Sequence, residues 1–451
     1  MRDFGETYRK SRWTVFGGIT VLTGLASGIS GMLLGLLLRL IQHSAYGYSL
    51  QAIVSSESFL EGVSSASPSR RLVALTLCGV VAGAGWWALY RLGKPLVSIA
   101  KAVKQDGPAM PFVSTLVHAS LQIVTVALGS PLGREVAPRE LGALLADRLS
   151  VWANLSPENR RIMIACGAGA GLAAVYNVPL GGTLFVLEVL VGSLSLSAVI
   201  PALTTCVIAA LVARIGLGNI TQYALSPPPS VSSSLIAWSI LTGPIFGACA
   251  FWFVRAAGAA RSHAARKWRL LLWCLTVFPA IGLLAIPFPQ LLGNGKGIVQ
   301  IGFDGRFGLG LAAALLVLRL VVTLGALRAG AEGGLLTPGL ALGVILGSIL
   351  GGLWNFVAPF ATLSTFAIVG GAAFLASSMK MPVTAIILIM EFTRISGDFL
   401  VPISLAVAGS MAMFQFLAQR HANQQWKPQH CDIPSYAGEA GNVKVLTPQQ
   451  I

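Results

Sequence analysis

Three glycine-led segments carry the residues best placed to do chemistry: GKPLVSI at Gly93–Ile99, GSPLGREVAP at Gly129–Pro138 and GGLLTPG at Gly333–Gly339. Glycine permits the turn from which a new helix sets out. The first turn of a helix has backbone N–H groups without partners and carries roughly half a positive charge, so it suits an anion. Three such starts converging would bind an anion through dipoles alone, with no metal. The middle segment adds Glu135. Its carboxylate accepts hydrogen bonds but donates none, so it competes with a bound anion for the same N–H groups. A charge inside an apolar segment is costly and usually functional; the alternative is a salt bridge to Arg134 or Arg139. The six cysteines and five histidines show no C-x-x-C or H-E-x-x-H spacing, so no metal site, cofactor or catalytic constellation is expected, and the protein reads as a non-enzyme.

The elements that would position these segments are membrane helices. Of 451 residues 55% are hydrophobic and only 10% are charged, whereas soluble domains average about 25% charged. That composition excludes a soluble domain, a disordered chain and a disulfide scaffold. The net charge of +15 is gathered between apolar runs, at Arg2, Arg9, Lys10 and Arg12, at Arg255, Arg261, Arg266, Lys267 and Arg269, and at Arg420 and Lys427. Short Lys/Arg-rich segments mark the cytoplasmic side, so both termini and the central loop are expected there, and nucleic acid is not expected as a partner. The run 15–41 is too long for a signal peptide and reads as a first membrane helix. Stretches long enough to span also appear at 72–91, 195–217, 234–254, 308–328, 363–392 and 398–418, with shorter or Gly/Pro-broken pieces at 111–130, 133–150, 161–176, 178–192, 270–288 and 338–358. Broken segments are tolerated in a bilayer only where protein or a water-filled cavity surrounds them. The expected layout is a cytoplasmic segment 1–14, a membrane domain 15–419 and a polar tail 420–451 too short for a separate folded domain.

The chain also repeats itself. Residues 167–189 align with 370–392 at a constant offset of 203, with identities at Gly167/Gly370, Ala170/Ala373, Leu172/Leu375, Ala173/Ala376, Pro179/Pro382 and Glu188/Glu391. Upstream, GREVAP (133–138) matches GGLLTP (333–338). Two matches in the same order point to a duplicated unit, with halves at about 70–255 and 270–419. Duplicated halves with interrupted helices are typical of transporters, whose sites form near the midplane.

GREVAP, GGLLTPGLALG, the GAGAGLAAVYNVPLGG-x-LF-x-x-E run and the two-fold repeat together resemble the CLC family of chloride channels and proton-coupled chloride transporters, over roughly residues 15–420. The resemblance implies an all-α polytopic membrane fold of two inverted repeats built from tilted and broken helices. It implies a homodimer in a lipid bilayer, with one pathway per subunit for chloride or another small inorganic anion, and voltage-dependent gating. Glu135 matches the family's external gating glutamate, which fills the anion's place when ionised and swings away when protonated or displaced. The implied anion-binding positions are Gly93, Lys94, Pro95, Gly133, Arg134, Glu135, Val136, Leu335 and Leu336, the last two through backbone N–H groups.

Several departures from the family pattern bear on mechanism. Lys94 stands where the family has a serine that lends its hydroxyl to the central anion. It either adds a full charge beside the anion or faces the cytoplasmic vestibule. The run LFVLEVL places Val189 after Glu188, where proton-coupled members carry a second carboxylate as internal proton relay. An apolar side chain cannot take up a proton, so this position resembles the channel branch, and Glu188 reads as structural, like Glu391. The family's inner-gate tyrosine has three candidates in the tail, His430, Cys431 and Tyr436, of which His430 is favoured by its spacing after Lys-Pro. The expected function is channel-like, uncoupled anion transport gated by Glu135; the alternative is a proton/anion antiporter with another proton route. By analogy, a bacterial inner membrane is the expected location.

Overall fold

The computed structural model describes residues 2–48, 58–104, 107–219, 221–225, 230–358 and 361–425. Among them the first half contributes α1 (Arg2–Tyr46), α2 (Phe59–Ser65), α3 (Pro68–Leu92), α4 (Ile99–Ala102), α5 (Phe112–Ala127), α6 (Val136–Trp152), α7 (Pro157–Tyr176), α8 (Pro179–Phe185), α9 (Leu196–Leu217) and α10 (Ser233–Ser262). The second half contributes α11 (Trp268–Leu284), α12 (Lys296–Phe303), α13 (Leu309–Ala329), α14 (Leu336–Trp354), α15 (Leu363–Met379), α16 (Pro382–Thr393) and α17 (Leu400–Gln425). The described residues form no β-strand, in keeping with the all-α membrane architecture the sequence implies. Seven helices are long and apolar enough to cross a membrane, and five shorter apolar helices lie between them.

Helix starts follow the local chemistry. Pro68 and Pro157 open α3 and α7, where a missing N–H costs nothing, and the hydroxyls of Ser67 and Ser156 accept from Arg70 N–H and Asn159 N–H. Two expectations need correction. The apolar run 363–392 is not one span: Lys380 adopts a left-handed conformation (φ 55) and Pro382 starts a second helix, so the chain breaks into α15 and α16. The run after Pro338, expected to be short and broken, belongs to a 19-residue helix, α14. The run expected at 15–41 is continuous with residues before and after it, all within α1.

The duplication is visible in the backbone. α7 ends at left-handed Asn177 (φ 57) and α15 at left-handed Lys380 (φ 55). The next residues, Val178 and Met381, have nearly the same dihedrals (φ −129, ψ 71 and φ −138, ψ 68), and each precedes a helix-opening proline. Helix crossings repeat too. A Cβ on Gly142 in α6 would run into the carbonyl of Gly167 in α7, and one on Gly343 in α14 would sit 2.7 Å from the carbonyl of Gly370 in α15. The density of glycine at 167–171 therefore serves close helix packing.

The paired glutamates tie the halves together. Glu188, in a π-helical turn (Val186–Val191) after α8, accepts from Val383 N–H (3.0 Å), Thr384 N–H (2.7 Å) and the Thr384 hydroxyl (2.6 Å) at the start of α16. Glu391, near the end of α16, accepts from Leu180 N–H (3.0 Å) and Gly181 N–H (2.7 Å) at the start of α8. Each helix thus reaches the other's N-terminus with its own C-terminal carboxylate, which requires the two to run antiparallel, as inverted repeats do. Both carboxylates also lie favourably on the helix dipole.

Removing either glutamate leaves helix-start donors unpaired, at about 1–3 kcal/mol for each buried group. Glu188→Ala, which frees three donors, is expected to lower the thermal unfolding midpoint in detergent more than Glu391→Ala, which frees two. An unchanged midpoint in both would show that the exchange contributes nothing to stability.

Candidate functional site

Two loops meet at the centre of the molecule. One leads from α5 to α6 through Gly129–Glu135, the other from α13 to α14 through Gly330–Leu335. They cross at a single antiparallel bridge, Gly133 N–H to Gly334 C=O (2.8 Å) and Gly334 N–H to Gly133 C=O (2.9 Å). The first turns of α6 and α14, one from each half, are thereby locked side by side.

Glu135 occupies the junction and is fully buried. As the residue before α6 it makes no capping bond to its own helix. Its carboxylate instead crosses to α14 and accepts the Leu336 N–H at 2.7 Å. The Tyr176 hydroxyl, 3.1 Å from the Thr337 hydroxyl, lies 3.5 Å from the other carboxylate oxygen. A Cβ on either Gly133 or Gly334 would overlap that carboxylate, so the seat exists only because both positions are glycine.

The cations nearby are committed elsewhere. The Arg139 Nε donates to the backbone carbonyl of Glu135 (3.0 Å), and its guanidinium lies over Phe185 (5.0 Å). Arg134 lies over the Tyr176 ring (5.2 Å). The ion pairs among the described residues are His118–Glu140 and Arg160–Asp147, so the salt bridge from Glu135 to Arg134 or Arg139 is not formed. The Glu135 carboxylate is thus a buried anionic group held by a helix-start N–H, the kind of donor that suits an anion.

The crossing loops are braced by two arginines, Arg319, which sequence reasoning passed over, and Arg261, which it read only as part of a basic cytoplasmic loop. Arg319, fully buried in α13, donates to the carbonyls of Leu291 (3.0 Å), Gly293 (2.8 Å) and Pro131 (2.8 Å). Arg261, from α10, donates to the carbonyl of Gly333 (2.9 Å). The signal for Arg319 was present, a lone charge inside the apolar run 308–328. Tyr176 and Glu332 had no signal, because only the folding of separate segments brings them to the loops.

Two cavities approach the junction from opposite ends. One, of about 570 Å³, is lined by Arg39, His43, Arg134, Arg214 and Lys296 among others, and so reaches the residue directly before Glu135. The second, of about 810 Å³, is lined by Trp87, Tyr90, Arg91, Arg261, Arg266 and Lys267 and reaches Gly330 and Glu332 in the other loop. The first cavity lies at the C-terminal end of α1 and the second at the C-terminal end of α3. Those ends face opposite ways, because the connection between the two spans joins the end of α1 to the start of α3.

The expected site residues divide accordingly. Gly133, Glu135, Leu335 and Leu336 come together, with Arg134 at the rim of the first cavity and Val136 opening α6. Gly93, Lys94 and Pro95 do not join them in the way expected. They are exposed beyond the end of α3, and the helix that follows is delayed to Ile99, lasts four residues and is capped by Ser98 rather than by glycine. Pro95 and the extended segment around it push the helix start away. Val189 is 40% exposed, next to the engaged Glu188. His430, Cys431 and Tyr436 lie outside the described residues.

Comparison with known proteins bears on the whole architecture. The family described as "Voltage gated chloride channel" matches residues 73–415. The chain is 30% identical over 349 residues to the voltage-gated ClC-type chloride channel ClcB of Citrobacter koseri, covering 74% of this chain and 82% of that protein. It is 31% identical over 304 residues to the H(+)/Cl(−) exchange transporter ClcA of Cronobacter sakazakii, covering 65% of each. Among solved structures, a slow cyanobacterial Cl−/H+ antiporter superposes with TM-score 0.75 at 21% identity, over 91% of this chain and 99% of that one. A CLC-type fluoride/proton antiporter superposes with TM-score 0.66 at 22% identity, over 89% and 95%.

Because Lys94 is exposed beyond the end of α3, Lys94→Ser is expected to change chloride affinity by less than about two-fold, as charges in solvent are screened. Calorimetric titration of chloride into the purified variant checks this, and a large loss of affinity would return Lys94 to the anion's side.

Proposed function

Since the chain belongs to the voltage-gated chloride channel family, the CLC family, we propose that it conducts chloride across the membrane in a channel-like, uncoupled manner, with Glu135 as its gate. The observation that carries this reading is the carboxylate on the Leu336 N–H, wedged between Gly133 and Gly334. Ionised, it is an internal anion occupying chloride's donors. Protonated or displaced, it gives up the charge-assisted bond, worth about 1.5–3 kcal/mol, and a chloride ion takes its place on the α14 start. The cations Arg39, Arg134, Arg214 and Lys296 raise the local anion concentration on the side facing Glu135. Gly93, Lys94 and Pro95 belong in this scheme to the rim of the pathway.

The absence of proton coupling is inferred from two residues. Val189 has nothing to titrate, and Glu188 is engaged by three donors of α16. A second reading, coupled exchange of protons for anions, is favoured by the buried pair His118–Glu140 (2.8 Å) with Gln122 3.1 Å from the carboxylate, a titratable cluster away from Glu188. The exchange transporter among the relatives agrees with that reading.

A homodimer in a bacterial inner membrane, with cytoplasmic termini, completes the proposal. Its support is the outward face of α8 and α16, where Leu180 and Val383 are each 51% exposed beside the half-buried Glu188 and Glu391. Carboxylates are poorly tolerated against lipid, so a second copy suits that face better than lipid does. Light scattering of the detergent-solubilised protein is expected to give a protein mass of twice 47.0 kDa; a single-chain mass would remove the dimer.

Simultaneous chloride and pH recording from voltage-clamped proteoliposomes tests the transport mode. The expected result is chloride flux down its gradient with no uphill proton movement, and a rise of about ten-fold in flux for Glu135→Ala. Proton uptake driven by chloride would favour the exchange reading. Flux unaltered by Glu135→Ala would remove the gate.

A further inference from the structure

The cavity on the side away from Glu135 carries one carboxylate. Its described lining includes four cations, Arg91, Arg261, Arg266 and Lys267, and a single acid, Glu332. Glu332 is half-buried, lines the cavity and directly precedes the Gly333–Gly334 turn, four residues before Leu336, whose N–H holds Glu135. In the aligned loops of the two repeats it takes the place of Leu132, one residue before the shared Gly133/Gly333.

Its partners are particular. The Tyr90 hydroxyl, from the end of α3, donates to the Glu332 carboxylate at 3.0 Å. None of the four cations forms an ion pair with it, and Arg261 spends its guanidinium on the Gly333 carbonyl. His118, from α5, lies within its electrostatic reach, and Glu140 of α6 and Arg266 of the α10–α11 connection act on Tyr90. Glu332 is thus an acid facing a basic cavity, steadied by a phenol and left without a counter-ion.

We propose that Glu332 is a second, inner carboxylate that rejects anions, setting the charge of the inner mouth as Glu135 fills the seat from the other side. This rests on the proposal that the chain conducts anions past the Gly133–Gly334 bridge. Ionised, Glu332 cancels part of the positive potential of the cavity and repels an anion approaching the α14 start. Protonated by a proton from the inner solution, it becomes neutral, and the four cations then draw anions to the turn. Tyr90 donates to this carboxylate and holds it at the cavity wall. Inner acidification therefore opens this mouth, and the device needs no proton to cross the membrane.

The test uses full-length protein in proteoliposomes in the Glu135→Ala background, which removes the outer titration. Chloride flux is recorded with the same pH on both faces, so the orientation of the protein in the vesicles does not matter. Between about pH 7.5 and about pH 4.5, a range reaching the usual carboxylate values, flux is expected to rise several-fold. Adding Glu332→Gln is expected to fix flux at the acid level across the range. Adding Tyr90→Phe, which removes the hydroxyl on Glu332 but leaves the carboxylate, is expected to keep the rise. Glu332→Asp, which retains the charge, is expected to keep the pH dependence and so separates loss of the carboxylate from loss of folding. A pH rise that persists undiminished in Glu332→Gln overturns the proposal, as does Glu332→Gln flux held at the neutral-pH level. Absence of chloride flux in both wild type and Glu135→Ala overturns the anion-conduction reading itself, and the inner carboxylate gate with it.

Discussion

Everything at the centre depends on two reciprocal backbone hydrogen bonds, between Gly133 and Gly334. They pin the start of α6 against the start of α14, and a carboxylate from one helix then reaches the free N–H of the other. In a bilayer such non-helical backbone is tolerated only if every group finds a partner inside the protein. The bracing follows from that need. Arg319 takes three carbonyls of the surrounding loops, Arg261 takes Gly333, and the Tyr46 hydroxyl takes Leu128 at 2.8 Å. Two glycines without a Cβ leave the space, and long donors from distant helices hold it open.

The electrostatic design follows from this framework. A backbone N–H such as that of Leu336 attracts a negative group without the full charge that would trap it. Whole charges are kept at the approaches: Arg39, Arg214 and Lys296 on one side, and Arg91, Arg266 and Lys267 on the other. The arginines adjacent to the seat are turned aside, Arg134 to Tyr176 and Arg139 to Phe185. Full charges thus stand at the approaches, and a backbone dipole stands at the centre.

Much of this was legible in the sequence, for identifiable reasons. Glycine followed by a helix signal and a proline is a local pattern, so both crossing loops and Glu135 announced themselves. The repeat carried the pairing of Glu188 with Glu391 and the structural reading of both. The helix expected directly after Gly93 starts instead at Ile99, after Pro95 and the Ser98 cap, a local shift that glycine spacing does not reveal. The long apolar run 363–392 concealed a break because hydropathy is blind to backbone handedness at Lys380. Arg319, Tyr176 and Glu332 owe their places to residues far away in the chain, and no window of sequence contains both sides of those contacts.

The crossed glutamates have a consequence for the protein's history and its birth at the membrane. Neither half can finish its own helix starts, since α8 is completed by Glu391 and α16 by Glu188. A single ancestral half, inserted in both orientations, would have made the same exchange with a copy of itself, and fusion of the two genes would have made that partnership permanent. During synthesis the first half must wait in the bilayer with α8 uncapped until the chain has grown to residue 391. A chain that ends before residue 391 leaves the Leu180 and Gly181 N–H groups without the carboxylate that accepts from them.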